Sequence, residues 1–163
     1  MMDDIESLTL NLAQQLLQQG AMIATAESCT GGLIAKTLTD LAGSSAWFDR
    51  GFVTYSNAAK VDMLGVDPRM LDESGAVSEP TARAMAAGAL RHSCARYAVA
   101  VTGIAGPGGG SEHKPVGTVW FGFADNDLVL SEMLRFRGDR AQVRQQTLRH
   151  ALEKICAIVE NDN

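Results

Sequence analysis

The segment Ala21-Met22-Ile23-Ala24-Thr25-Ala26-Glu27-Ser28-Cys29-Thr30-Gly31-Gly32 decides the fold class. Ala21 to Ala26 is short and mostly apolar, which predicts a buried strand. Thr30-Gly31-Gly32 then opens a helix running to about Asp40, with Leu33, Ile34, Thr37 and Leu38 available for packing. A strand that turns directly into a helix is the repeating unit of α/β architecture.

The flanking sequence agrees. Upstream, Ile5, Leu8, Leu12 and Leu16 share one face of a helix over 5–19, stopped by Gly20. Downstream, Phe48 to Tyr55 reads as a strand, and Asn57 to Leu64 as a short helix ended by Gly65. Ser78 is a candidate N-cap, followed by Glu79 and Pro80. The helix it opens carries Ala82, Met85, Ala86, Ala89 and Leu90, a thin face suited to close approach. Tyr97 to Thr102 reads as an apolar strand that runs into the glycine-rich Gly103–Gly110 segment. Gly117–Ala124 and Leu128–Phe136 form a hairpin around Asp125-Asn126-Asp127. A final helix starts near Asp139 and runs past Ile158, burying Val143, Leu148, Ala151, Leu152, Ile155 and Val159. Helices interspersed with strands predict a layered α/β sandwich, and the hairpin makes its sheet mixed. No repeat or linker divides the 163 residues, so one domain over 1–163 is expected.

Composition narrows the function classes. The formal charge of -5 argues against general nucleic-acid binding, which relies on a concentrated basic footprint. No apolar stretch is long enough to span a bilayer. The acidic N-terminus, with Asp3, Asp4 and Glu6, resembles neither a signal nor a transit peptide. Cys29, Cys94 and Cys156 are too widely spaced to suggest a disulfide framework, and a reducing cytoplasm fits them best. The histidines and carboxylates form no metal signature, so neither metal nor cofactor is expected.

Three loops carry the candidate chemistry. In Ala26–Gly32, Ser28 is either a nucleophile at a strand end or a helix cap. Backbone N–H groups at that helix start are placed to hold an oxyanion or a phosphate. Glu27 either orients a ligand or the lysine, or makes a structural ion pair. In Tyr55-Ser56-Asn57-Ala58-Ala59-Lys60, a desolvated Lys60 would serve as a base for a serine. Tyr55 would then carry a proton or hold the lysine. The competing reading makes Lys60 a surface residue, Tyr55 a core-edge aromatic and Asn57 a helix cap. In Thr102–Gly110, five glycines either wrap a small anionic ligand or form a flexible connection. The run matches neither a dinucleotide fingerprint nor a P-loop. Arg140 would clamp a phosphate or lie solvated at a helix start.

Taken in order, Ala26–Gly32, Gly43–Lys60, Gly75–Pro80, Thr102–Gly110, Lys114–Phe121 and Gly138-Asp139-Arg140 resemble the CinA C-terminal domain family, which includes stand-alone nicotinamide-nucleotide amidases. The resemblance covers essentially the whole chain and implies a three-layer α/β/α sandwich. It implies hydrolysis of the carboxamide of nicotinamide mononucleotide to nicotinic acid mononucleotide and ammonia, within pyridine-nucleotide salvage. It also implies the free-standing form and a homo-oligomer. Ser28 is the nucleophile by this resemblance, Tyr55 and Lys60 complete a Ser-Tyr-Lys arrangement, and Thr102 lies in the pocket. The candidate substrate-binding set is Glu27, Thr30, Gly31, Gly32, Asn57, Thr102, Gly103, Gly106, Gly108, Gly109 and Arg140. Two alternatives remain: an inactive pyridine-nucleotide-binding or regulatory domain, and an amidase for another small carboxamide.

Overall fold

The computed structural model describes residues 4–162. Its five-stranded sheet has the order β2-β1-β3-β4-β5. β1 (Ile23–Glu27) lies between β2 (Phe48–Val53) and β3 (Tyr97–Gly103), parallel to both. β4 (Thr118–Ala124) and β5 (Val129–Arg135) continue the sheet antiparallel, as the hairpin pattern predicts.

Six α-helices cover the sheet, and its two faces differ in side-chain size. On one face Ile23, Tyr97, Val99, Val101, Val119, Phe121 and Phe123 form a large-residue core. Against it pack α1 (Asp4–Gln19), α2 (Leu33–Thr39) and α6 (Arg140–Asn161), through Leu12, Leu16, Ile34, Leu38, Leu152 and Ile155. On the other face Ala26, Ala98, Ala100 and Ala124 meet Met85, Ala86 and Ala89 of α5 (Glu79–Arg91). The thin helix face read from the sequence therefore packs inside the chain, against a strand face equally poor in volume. Gly122 completes that fit, because a Cβ there would run into the Ala82 carbonyl. Helices on both sides make this a three-layer α/β/α sandwich.

α3 (Asn57–Leu64) and α4 (Pro68–Ser74) lead into α5 on the small-residue face. α4 was not expected from the sequence, although Asp67-Pro68 is a legible start: Asp67 caps and Pro68 opens the helix. α3 also starts differently from expectation. Ser56, not Asn57, is its N-cap, accepting from the Ala59 N–H, because the shorter hydroxyl sits at the residue that is still extended. Ser78 caps α5 as read, and Asp139 closes a reciprocal capping box with Gln142 on α6.

The strand order has a functional consequence. From β1 the chain crosses over one face through α2 to reach β2, then returns over the other through α5 to reach β3. The C-terminal ends of β1 and β3 thus flank a point where the connections diverge, leaving a crevice of the kind that binds ligands in open α/β sheets.

Candidate active site

Ser28 follows β1 in that crevice, Tyr55 follows β2, and Thr102 is near the end of β3. Lys60 enters from α3 on the small-residue face. Together with Cys29, Ala76, Val77, Arg140 and the Gly103–Gly109 turn, they line a cavity of about 280 Å³. No acidic side chain is among its walls. In a chain of net charge -5, Arg140 thus makes this a locally positive recess.

The centre of the cavity is a direct Ser28–Lys60 contact, with Lys60 Nζ 3.0 Å from Ser28 Oγ. Lys60 is only 1% exposed, so the surface-lysine reading does not hold. Its Nζ also donates to the main-chain carbonyls of Thr54 at 2.8 Å and Tyr55 at 3.3 Å. Burial lowers the Lys60 pKa from the ordinary 10.5. The neighbouring Cys29 would oppose this only as a thiolate, and burial pushes its thiol up to about 12, so it stays protonated near neutrality. A neutral amine has two N–H donors and one lone pair. The two carbonyls can take the donors, leaving the lone pair for the Ser28 proton.

Tyr55 is divided between the interior and the solvent. Its carbonyl approaches Lys60 and, at 3.5 Å, Ser28 Oγ. Its side chain is 61% exposed, and its hydroxyl accepts from Arg140 Nη2 at 3.2 Å rather than meeting Lys60. The expected hydroxyl contact to the lysine is therefore absent. Arg140 Nη1 also donates to the Gly106 carbonyl at 2.9 Å, so this guanidinium ties the rim at Tyr55 to the glycine turn. It is the first residue of α6, exposed and at the same time part of the cavity wall.

The loop after β1 corrects a second expectation. Glu27 is fully buried, and its carboxylate accepts from Thr30 Oγ1 at 2.6 Å and from the N–H groups of Ile34 at 2.8 Å and Ala35 at 3.0 Å. It caps α2 from within the core, since the N-cap residue Gly32 has no side chain to do so. Nearby N–H groups are also committed: Ser28 donates to Val101, Gly31 to Ser28, and Leu33 to Thr30. The N–H groups of Ile34 and Ala35 at the helix start are thus closed to an oxyanion or phosphate, whereas that of Cys29, directly after Ser28, is not taken among the described residues. Gly31 and Gly32 are needed for left-handed backbone, with φ of 59° and 105°. The structure does not bring Glu27, Thr30, Gly31, Gly32 or Asn57 to the cavity wall, whereas Thr102, Gly103, Gly106, Gly108, Gly109 and Arg140 all reach it.

The glycine run is packed rather than loose. A Cβ on Gly103 would lie 2.7 Å from Val119 Cγ2, and one on Gly110 would lie 2.8 Å from the Val116 N–H nitrogen. Only Gly108 in this run faces open space. The N–H groups of Cys29, Gly108 and Gly109 enter no backbone hydrogen bond among the described residues.

Two contributors were missed in the sequence. Arg144 lies one turn beyond Arg140 on α6, and its Nη2 donates to the Thr30 carbonyl at 2.9 Å, bracing the loop that carries Ser28. The i,i+4 spacing of the two arginines was the available signal. Ala76 and Val77 form a wall with no polar side chain to flag them, although they lie within the Gly75–Pro80 stretch that carries the family resemblance. Among the described residues, no group of three or more His, Cys, Asp or Glu is arranged to hold a metal ion. None of their helices is long and apolar enough to cross a membrane.

Comparison with known proteins follows the same outline. The family model described as the CinA C-terminal domain matches residues 5–159. The chain is 54% identical over 153 residues to "Nicotinamide-nucleotide amidohydrolase PncC" of Escherichia coli strain K12, with 93% of each chain covered. It is 51% identical over 154 residues to the protein of that name from Pseudomonas putida, covering 94% of this chain and 96% of that one. Among solved structures, the competence/damage inducible protein CihA from Agrobacterium tumefaciens superposes with a TM-score of 0.93 at 52% identity over 96% of each chain.

Proposed function

The chain belongs to the CinA C-terminal domain family, and on that premise we propose that it hydrolyses the carboxamide of nicotinamide mononucleotide to nicotinic acid mononucleotide and ammonia. The observation that carries the chemistry is the buried Lys60 amine 3.0 Å from Ser28 Oγ, with no carboxylate among the cavity walls to hold it charged.

In this mechanism neutral Lys60 takes the Ser28 proton as Oγ attacks the carboxamide carbon. The resulting oxyanion is received by N–H groups bordering the cavity, among which those of Cys29, Gly108 and Gly109 are uncommitted. Lys60 returns its proton to the nitrogen, the C–N bond breaks, and ammonia leaves an acyl-serine. Water then attacks the ester carbon while Lys60 accepts one of its protons. Collapse breaks the Oγ–C bond and returns the proton to Ser28, and the acid released passes its remaining proton to Lys60, which gives it up to water as the carboxylate departs. The direct Ser28–Lys60 contact leaves no gap for the Tyr55 hydroxyl to bridge. Tyr55 serves by its carbonyl at the lysine and by its hydroxyl at Arg140, where the two side chains form the rim that receives the anionic part of the nucleotide.

We assign the whole chain to one such amidohydrolase domain, acting in the cytoplasm as a homo-oligomer on a small-molecule substrate. The deciding assay follows ammonia and nicotinic acid mononucleotide together from purified protein. Equal production of both, lost in Ser28→Ala, is expected. Saturable nucleotide binding without turnover would replace the amidase with a binding domain.

A further inference from the structure

Thr102 is 1% exposed and lines the cavity beside Ala76. Its Oγ1 lies 2.8 Å from the Ala76 carbonyl oxygen. A carbonyl can only accept, so the single proton of the hydroxyl is committed to that bond. What remains on Oγ1 is lone pairs. The partner carbonyl belongs to a fastened segment. The Gly75 carbonyl accepts from Ser78 Oγ and Thr81 Oγ1, each at 2.8 Å, and Lys114 Nζ donates to the Ser74 carbonyl at 2.9 Å.

From this geometry we infer that Thr102 is a specificity-determining residue, a fixed acceptor that selects a carboxamide and rejects the carboxylate formed from it. The inference rests on the amidase reading above. A carboxamide offers two N–H donors on its nitrogen. A carboxylate offers none, and sets oxygen lone pairs against those of Thr102. To donate to that carboxylate, Thr102 would have to withdraw its proton from the half-buried Ala76 carbonyl and give up that bond. Sites built around one hydrogen-bonding pattern discriminate strongly against an analogue that cannot complete it. The same contact turns the leaving nitrogen toward Thr102 and helps clear the product, whose carboxylate would otherwise be held by protonated Lys60.

The test compares three ligands by calorimetry on Ser28→Ala protein, with and without Thr102→Val: nicotinamide mononucleotide, nicotinic acid mononucleotide and the methyl ester of the latter. With Thr102 present, the carboxamide is expected to bind about tenfold more tightly than either of the others, a hydrogen bond's worth of preference. Thr102→Val should bring the three to within about threefold of one another, and Thr102→Ser should restore the order. A merely structural role for Thr102 would weaken all three ligands together and leave their ratios unchanged, which overturns the inference. So does an ester that binds as tightly as the amide while Thr102 is present, a result that needs no Thr102 variant to fold. Turnover by the intact protein is measured in parallel: absence of ammonia there defeats the amidase reading, whereas unchanged ratios with normal turnover defeat only the role of Thr102.

Discussion

Lys60 and Tyr55 are five residues apart and belong to different regions of one cavity. Lys60 is 1% exposed and surrounded by fixed main-chain acceptors, whereas the Tyr55 side chain is 61% exposed and held by a single guanidinium contact. The floor is part of the core, packed before any ligand arrives, so its groups are preorganised for a reaction. The rim is a set of solvated side chains joined through Arg140, suited to binding and orientation. Chemistry should therefore fail when the floor is altered and affinity when the rim is.

The largest expected effect is at the floor. Ser28→Ala and Lys60→Met should each lower kcat by at least about 10³-fold, as loss of a nucleophile or its base does. Nucleotide binding should persist, measured by calorimetry. Retention of more than a tenth of the activity in Lys60→Met would remove the lysine from the mechanism.

The second expectation is a pH effect. Because burial lowers the Lys60 pKa from 10.5, kcat/KM should rise with pH through a limb below that value as the amine loses its proton. Stability follows the same sign. Between the folded and unfolded pKa the unfolded chain binds more protons, so stability rises with pH across that interval. Below the folded pKa the cost of burying the ammonium is present in full. Lys60→Met removes it, so the variant's stability relative to the parent should be greatest at low pH and fall as pH approaches 10.5. Urea unfolding at several pH values measures this, and a difference that grows with pH would contradict it.

Arg140→Ala comes third, with KM expected to rise about tenfold and kcat to move much less. The smallest effect is expected for Tyr55→Phe, which removes one rim hydrogen bond and keeps the carbonyl at Lys60: a change of about two- to fivefold in kcat/KM. That variant sharpens the contrast most, because a loss of about 10²-fold or more would return the tyrosine hydroxyl to proton transfer and dissolve the division between floor and rim.

The elements themselves were largely legible. Periodicity and turn residues marked five strands and five of the six helices, because each buries a face whose repeat shows in the chain. Strand order did not show, and with it the reason Ser28 and Lys60 meet: β1 and β2 are parallel neighbours, so segments separated by 32 residues leave the sheet at the same end. Within the site, side-chain chemistry was readable and main-chain commitment was not. The Ser28 loop offered the same N–H groups to an anion and to Glu27, and only the fold shows the carboxylate occupying them. Asn57 was read as the cap of α3, and a one-residue difference in where the helix begins gives that place to Ser56.

The two carbonyls at Lys60 have an evolutionary consequence. Every residue type supplies the same main-chain oxygen, so substitutions at the exposed position 55 can change the outer surface while the lysine keeps its acceptors. The lysine's setting is inherited through the path of the chain from β2 into α3 rather than through particular letters. Drift can therefore retune the rim toward other nucleotides without dismantling the base beneath it. An insertion of a single residue between Val53 and Lys60 would do more damage than most substitutions within that interval.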